Sequence, residues 1–164
     1  VDSLRAGHAA GVKTCAVTWG AHDKAALAAS APLAFAADTL ARNKENVVAF
    51  YELAFNQHKL EEAVAQYVAE PYIQHNPGVA DGGKVFIDAF APFLKEHPQS
   101  HADIKRVVAE DDLVVVHVHS QLTPNERGEA VIDIFRLDEN GKIVEHWDVA
   151  QPVPEKTVSG HAMF

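Results

Sequence analysis

The chain has 164 residues, 48% of them hydrophobic, and a formal net charge of −9. That length predicts one domain or slightly more, and that composition is enough to fill a real core. The acidic balance excludes the basic face that nucleic acid requires, and no run approaches the ~18 apolar residues of a membrane span.

Neither nucleic acid nor membrane is therefore an expected partner. The single Cys15 excludes an intramolecular disulfide and a cysteine-based zinc site. It fits a reducing compartment, and the expected location is cytoplasmic. No basic segment followed by an apolar stretch marks a secretory signal at the start of the sequence.

The first forty residues are Ala-rich and carry few charges. Asp2 to Ala10 reads as a helix closed by Gly11, Thr14 to Thr18 as a short buried strand, and His22 to Ser30 as a second helix broken by Pro32. This is a fragment of α/β alternation, too small to close a core alone.

Asn43 begins a different pattern. Val47, Phe50, Tyr51, Ala54 and Phe55 fall at helical spacing, and Leu60, Ala63, Val64, Tyr67 and Val68 repeat it in a shorter helix stopped by Pro71. Pro77-Gly78 marks a loop. Val85, Phe86, Ala89, Phe90, Phe93 and Leu94 predict a third helix, which Pro92 is expected to kink or shorten.

After Pro98 the period changes to two. Residues 104–110, 113–122, 130–137 and 142–149 read as four strands. Asp111-Asp112 and Asp138 to Gly141 are hairpin turns, and Thr123 to Glu129 is a longer loop. Helices followed by an antiparallel meander predict an α+β fold, with helices packed on one face of a curved antiparallel sheet.

Three segments place titratable residues within such runs: Tyr72 to Pro77, Val131 to Arg136 and Glu145 to Val149. A core that spends positions on His, Asp and Arg either lines a cavity or pairs those groups with one another. Alternation puts Val115, His117, His119 and Gln121 on one face, and Val114, Val116, Val118 and Ser120 on the other. It separates Asp133 from Arg136, and it puts His146 with Asp148 opposite Glu145 with Trp147.

Asp133 is an anion between apolar neighbours. It reads as a general acid/base oriented by a histidine, or as a buried carboxylate paired to fix strand register. His117 has a bland reading as an ordinary strand residue. His75 and Asn76 either line a pocket or hydrogen-bond loop backbone. Trp147 suits a cavity wall, and Tyr72 either packs or donates its hydroxyl to a ligand.

The histidines at 75, 117, 119 and 146 raise a metal reading, but no helical His-x-x-x-His motif is present and no metal is expected. Nucleotide-binding glycine motifs and a Gly-x-Ser-x-Gly nucleophile elbow are also absent.

Residues 43–164 resemble the SnoaL-like polyketide-cyclase proteins of the nuclear-transport-factor-2-like superfamily, especially the branch labelled aldol condensation-catalysing. The motifs that carry this are Tyr72 to Pro77, Ile104 to Glu110, His117-Val118-His119, Val131 to Leu137, Asn140 to Val149 and the closing Met163-Phe164. The resemblance implies a cystatin-like cone of helices wrapped by a sheet around a ligand cavity, and dimerisation through the sheet. It implies cofactor-free acid/base chemistry beside a carbonyl, in an aldol-type condensation or cyclisation.

Under that resemblance Asp133 and His119 form the catalytic pair, with Tyr72, His75, Asn76, His117, His146, Trp147 and Asp148 around the ligand. Asp148 matches a position that is acidic in related epoxide-opening enzymes. The competing readings are a non-catalytic protein that binds a small apolar ligand, and an oligomerisation module.

Residues 1–40 resemble something else, the carboxy-terminal end of a phosphoglycolate-phosphatase-like haloacid dehalogenase domain. There Asp2 would fall in the acidic magnesium motif. The nucleophilic Asp-x-Asp and the motif lysine are absent, so phosphatase activity does not carry over. The expected division is a truncated α/β extension over 1–42 and a SnoaL-like domain over 43–164.

Overall fold

The structure, a computed structural model, describes the backbone of residues 31–164 and the side chains of residues 37–164. The helix–strand–helix expected over residues 2–30 lies outside the described residues, with Asp2, Cys15 and most of the dehalogenase-like segment. The chain divides into two compact units, Val1–Thr39 and Leu40–Phe164, and the fold described below is that of the second.

Helix α1 (Ala31–Tyr51) runs without a break through the expected boundary at 42/43. Its alanines favour helix. From Leu40 onward, Asn43, Val47, Phe50 and Tyr51 form its buried stripe. The helix then widens into a π-turn, Glu52–Asn56, in which the Gln57 amide donates to the Glu52 carbonyl at 2.9 Å. Such turns re-aim the residues around them and are frequent at functional sites.

Helix α2 (Leu60–Tyr67) has Glu61 and Glu62 in its first turn, where they complement the helix dipole. Helix α3 (Gly83–Glu96) has its first amide tied down by Glu70, whose Oε1 accepts from Gly83 N at 2.8 Å. A side chain at Gly83 would collide with Val64, since a Cβ there would lie 2.8 Å from its Cγ1. Pro92 sits inside α3 and does not shorten it.

Five strands follow the order β1-β5-β4-β3-β2: β1 (Val68–Gln74), β2 (His101–Glu110), β3 (Leu113–Gln121), β4 (Glu129–Leu137) and β5 (Ile143–Pro152). The last four form the expected antiparallel meander, with turns at Asp111-Asp112 and Asp138 to Gly141. The unexpected strand is β1, which pairs parallel with β5 and makes the sheet mixed. The sequence predicts that Pro71 ends a helix; it lies instead in an edge strand, where a missing amide is tolerated.

The fold class is α+β, three helices against this sheet. The apolar stripe Val114, Val116 and Val118 of β3 meets Phe50 and Ala54, together with Phe86 and Leu94 of α3. No helix among the described residues is long and apolar enough to cross a membrane.

Candidate active site

Register decides which side chains meet. In the sheet Val116 lies opposite Asp133, and Asp133 opposite Asp148, so one row crosses three strands. Because alternate residues share a face, the inner face carries Val116 and Val118 from β3, Val131, Asp133 and Phe135 from β4, and His146 and Asp148 from β5. Strand β1 adds Tyr72 and Gln74, and Asn76 follows in the same alternation. All of these but Val116 line a cavity of about 290 Å³ whose helical wall is the aromatic group Phe50, Phe55, Phe86, Phe90 and Phe93.

At the inner end of this cavity Asp133 is only 5% exposed. Its Oδ1 lies 2.9 Å from His146 Nε2, and its Oδ2 accepts a hydrogen bond from the Tyr51 hydroxyl. His146 is buried too, and its Nδ1 donates to Gln74 Oε1 at 2.9 Å. Beside this chain, Asn76 Nδ2 donates to Asp148 Oδ2 at 2.6 Å. No buried side-chain nitrogen or oxygen among the described residues lacks a partner.

Burial, then the negative charge of Asp133, hold the Tyr51 hydroxyl well above its ordinary range. Burial and Asp133 do the same to Tyr72, partly offset by a hydrogen bond with Gln74. Both phenols are therefore fixed as proton-bearing groups.

The expected pairing of Asp133 with His119 is corrected by this geometry. His117 and His119 share a face as expected, but it is the outer one, because the all-valine face of β3 packs on the core. His119 Nε2 bonds to the Arg127 carbonyl at 2.8 Å, and its ring lies 4.4 Å from that of Phe164. His117 takes a hydrogen bond from Arg106 at 2.9 Å and also stacks on Phe164.

His75 and Trp147 leave the cavity as well. They stack on each other at 4.7 Å, and His75 bonds to Glu145 at 2.8 Å. Arg136 joins that outer cluster through Glu145 and Asp112. Of the residues expected around the ligand, Tyr72, Asn76, Asp133, His146 and Asp148 converge on the cavity.

Two residues of the site were not foreseen. Tyr51 looked like one more core position at helical spacing, and nothing in the sequence distinguishes it. Gln74 had a signal: Tyr72, Gln74 and Asn76 alternate with Ile73 and His75. Asp133, His146 and Asp148 each offer an atom within 4.8 Å of the others, a spacing that a metal ion could bridge. Both ring nitrogens of His146 are already hydrogen-bonded, however, so an ion there would have to displace a partner.

The family model for the SnoaL-like domain matches residues 47–146. The chain belongs to the SnoaL-like family. Solved SnoaL-like structures share the fold at low identity. A candidate polyketide cyclase from Bacillus cereus is 24% identical, with TM-score 0.57, over 67% of this chain and 74% of the other. A SnoaL-like protein of unknown function from Burkholderia thailandensis is 15% identical, with TM-score 0.57, over 66% and 95%. A loop-truncation variant of IdmH is 19% identical, with TM-score 0.55, over 66% and 92%. No curated protein matches the chain.

Proposed function

We propose that this SnoaL-like protein is a small-molecule enzyme that moves a proton at the carbon beside a carbonyl, in an aldol-type or cyclisation step. Asp133 takes or returns the proton. His146, rather than His119, holds its second proton site, and Tyr51 donates to its other oxygen. The observation that carries this reading is a buried carboxylate held between a histidine and a phenol on the wall of an aromatic cavity.

Carboxylates and histidines so placed are the usual acid/base groups. A substrate carbonyl facing Asp133 would find the Tyr72 hydroxyl and the second N–H of Asn76 as donors for the developing oxyanion. A family member described as a candidate polyketide cyclase fits carbonyl chemistry of this kind.

The test is deuterium uptake by a bicyclic ketone, 2-tetralone, in heavy water, followed by NMR. Wild-type protein accelerates exchange at the α-carbon, and folded Asp133→Asn loses on the order of 10²–10⁴-fold. Unchanged exchange in that variant would remove Asp133 from the mechanism. A co-purified apolar ligand with no exchange in the wild type would instead support a purely binding cavity.

A further inference from the structure

We infer that Gln74 is a positioning residue for the Asp133–His146 pair, fixing where the proton they share must lie. The inference rests on the acid/base reading of Asp133 and adds a residue to it. Gln74 and His146 are direct neighbours across the parallel β1–β5 pairing. Their backbones are locked there, since His75 N donates to the His146 carbonyl at 2.9 Å and Gln74 N donates to Asp81 Oδ1 at 2.8 Å.

The amide oxygen of Gln74 accepts from Nδ1 of His146, so Nδ1 carries a proton. Tyr51 supplies the proton on the Oδ2 side of Asp133. The 2.9 Å contact between Nε2 and Oδ1 must then hold one more proton, whether as imidazolium with carboxylate or as imidazole with carboxylic acid. In the imidazolium–carboxylate form Asp133 takes the α-proton as the enolate forms, the imidazolium stays protonated beside it, and the same proton site returns a proton to the enolate.

Other groups around the ring do not do this. Asp133 engages the opposite nitrogen, Phe135 stacks on the ring at 4.9 Å, and Asp148 bonds to Asn76. Tyr51 is committed to Asp133, and Tyr72 is the donor left to the cavity. Without the Gln74 oxygen, Nδ1 loses the acceptor that fixes its proton, and the tautomer with its proton on Nε2 alone becomes available. That tautomer hands Asp133 a hydrogen bond but leaves the pair one proton short.

The experiment is nitrogen NMR on the full chain labelled at its histidine rings, with His146→Ala identifying the resonance. Wild type shows His146 protonated at Nδ1. Gln74→Leu shifts that nitrogen toward the unprotonated form, and the near-isosteric Gln74→Glu, which keeps an acceptor there, retains the proton. In ketone exchange, Gln74→Leu lowers kcat on the order of tenfold, part of the ~10²–10⁴-fold that acid/base catalysis supplies, with KM unchanged, and Gln74→Glu, which restores the acceptor but not the amide donor to Tyr72, recovers most of it.

An unprotonated Nδ1 in wild type overturns the inference. So do ring shifts unmoved in Gln74→Leu, or loss of the Nδ1 proton in Gln74→Glu. The NMR measurement needs no substrate, so failure of the Asp133 chemistry in the exchange assay remains distinguishable from failure of Gln74 as the positioning residue.

Discussion

His146 Nε2 reaches Asp133 Oδ1 at 2.9 Å along a diagonal of the sheet, since Asp133 lies opposite Asp148 and His146 opposite Phe135. Diagonal neighbours on one face are within reach of a long side chain. Both are almost entirely buried, so the polar edge that each turns to the other, Asp133 Oδ1 and His146 Nε2, has no solvent to replace it.

Removing one member of such a pair is costly. His146→Ala is expected to destabilise the fold by ~3–5 kcal/mol, because it takes the ion-pair partner from a buried carboxylate and leaves only the Tyr51 hydrogen bond. His119→Ala removes a half-buried ring that packs on Phe164 and one bond to the Arg127 carbonyl, and is expected to cost about 1 kcal/mol. Urea unfolding of the two variants compares these values directly. Ketone exchange should survive the second substitution unchanged, because His119 points away from the cavity.

Much of this was legible in the alternation of β3, β4 and β5. It separated His119 from Val118, Asp133 from Arg136, and His146 from Trp147, and each separation holds in the structure. Alternation labels two faces of a strand but does not say which face of one strand lies over which face of the next. That information sits in the register, and the valine stripe at 114, 116 and 118 was the available clue. Parallel β1 was illegible for a different reason: its Pro71 reads locally as a stop, and only pairing with the distant β5 makes the segment a strand. Tyr51 reaches Asp133 from a helix 82 positions away in sequence, a contact no local pattern encodes.

Alkaline stability follows from the two buried phenols. In the folded chain Tyr51 and Tyr72 are both raised above their ordinary value of 10.0. The unfolded chain therefore releases their protons first as pH rises. Their contribution is fully present below about pH 10 and is lost as pH climbs toward the folded values. Tyrosinate absorbance from two of the three tyrosines is expected to appear together with loss of circular dichroism, not before it. Tyr51→Phe with Tyr72→Phe should weaken that coupling.

The β4–β5 turn gives a test of backbone geometry. Gly141 has φ +77°, and a Cβ there would lie 2.7 Å from Asn46 Nδ2 and 2.8 Å from Arg42 Nε. Asn46 donates to the Gly141 carbonyl at 2.8 Å, so this turn is pinned to α1. Gly160 has a nearly equal φ of +76° with open space around it. Gly141→Ala should cost ~2–3 kcal/mol from strain plus the displaced contacts, and Gly160→Ala ~1 kcal/mol from strain alone. Thermal melts of the two variants separate the conformational cost from the steric one.

Acid stability draws on the outer face. Hydrogen bonds from His75 and then Arg136 hold the Glu145 carboxyl below its ordinary value of 4.5. A depressed carboxyl contributes stability above the unfolded value, and that contribution fades as pH falls through and below it. Solvent lies beside the cluster, so the contribution at neutral pH is at most ~1 kcal/mol. Glu145→Gln is expected to lose this amount at pH 7 and to narrow the gap to wild type as pH drops below about 4. Chemical denaturation at a series of pH values checks it; a gap that widens toward acid would overturn the assignment of this stability to the ionised Glu145.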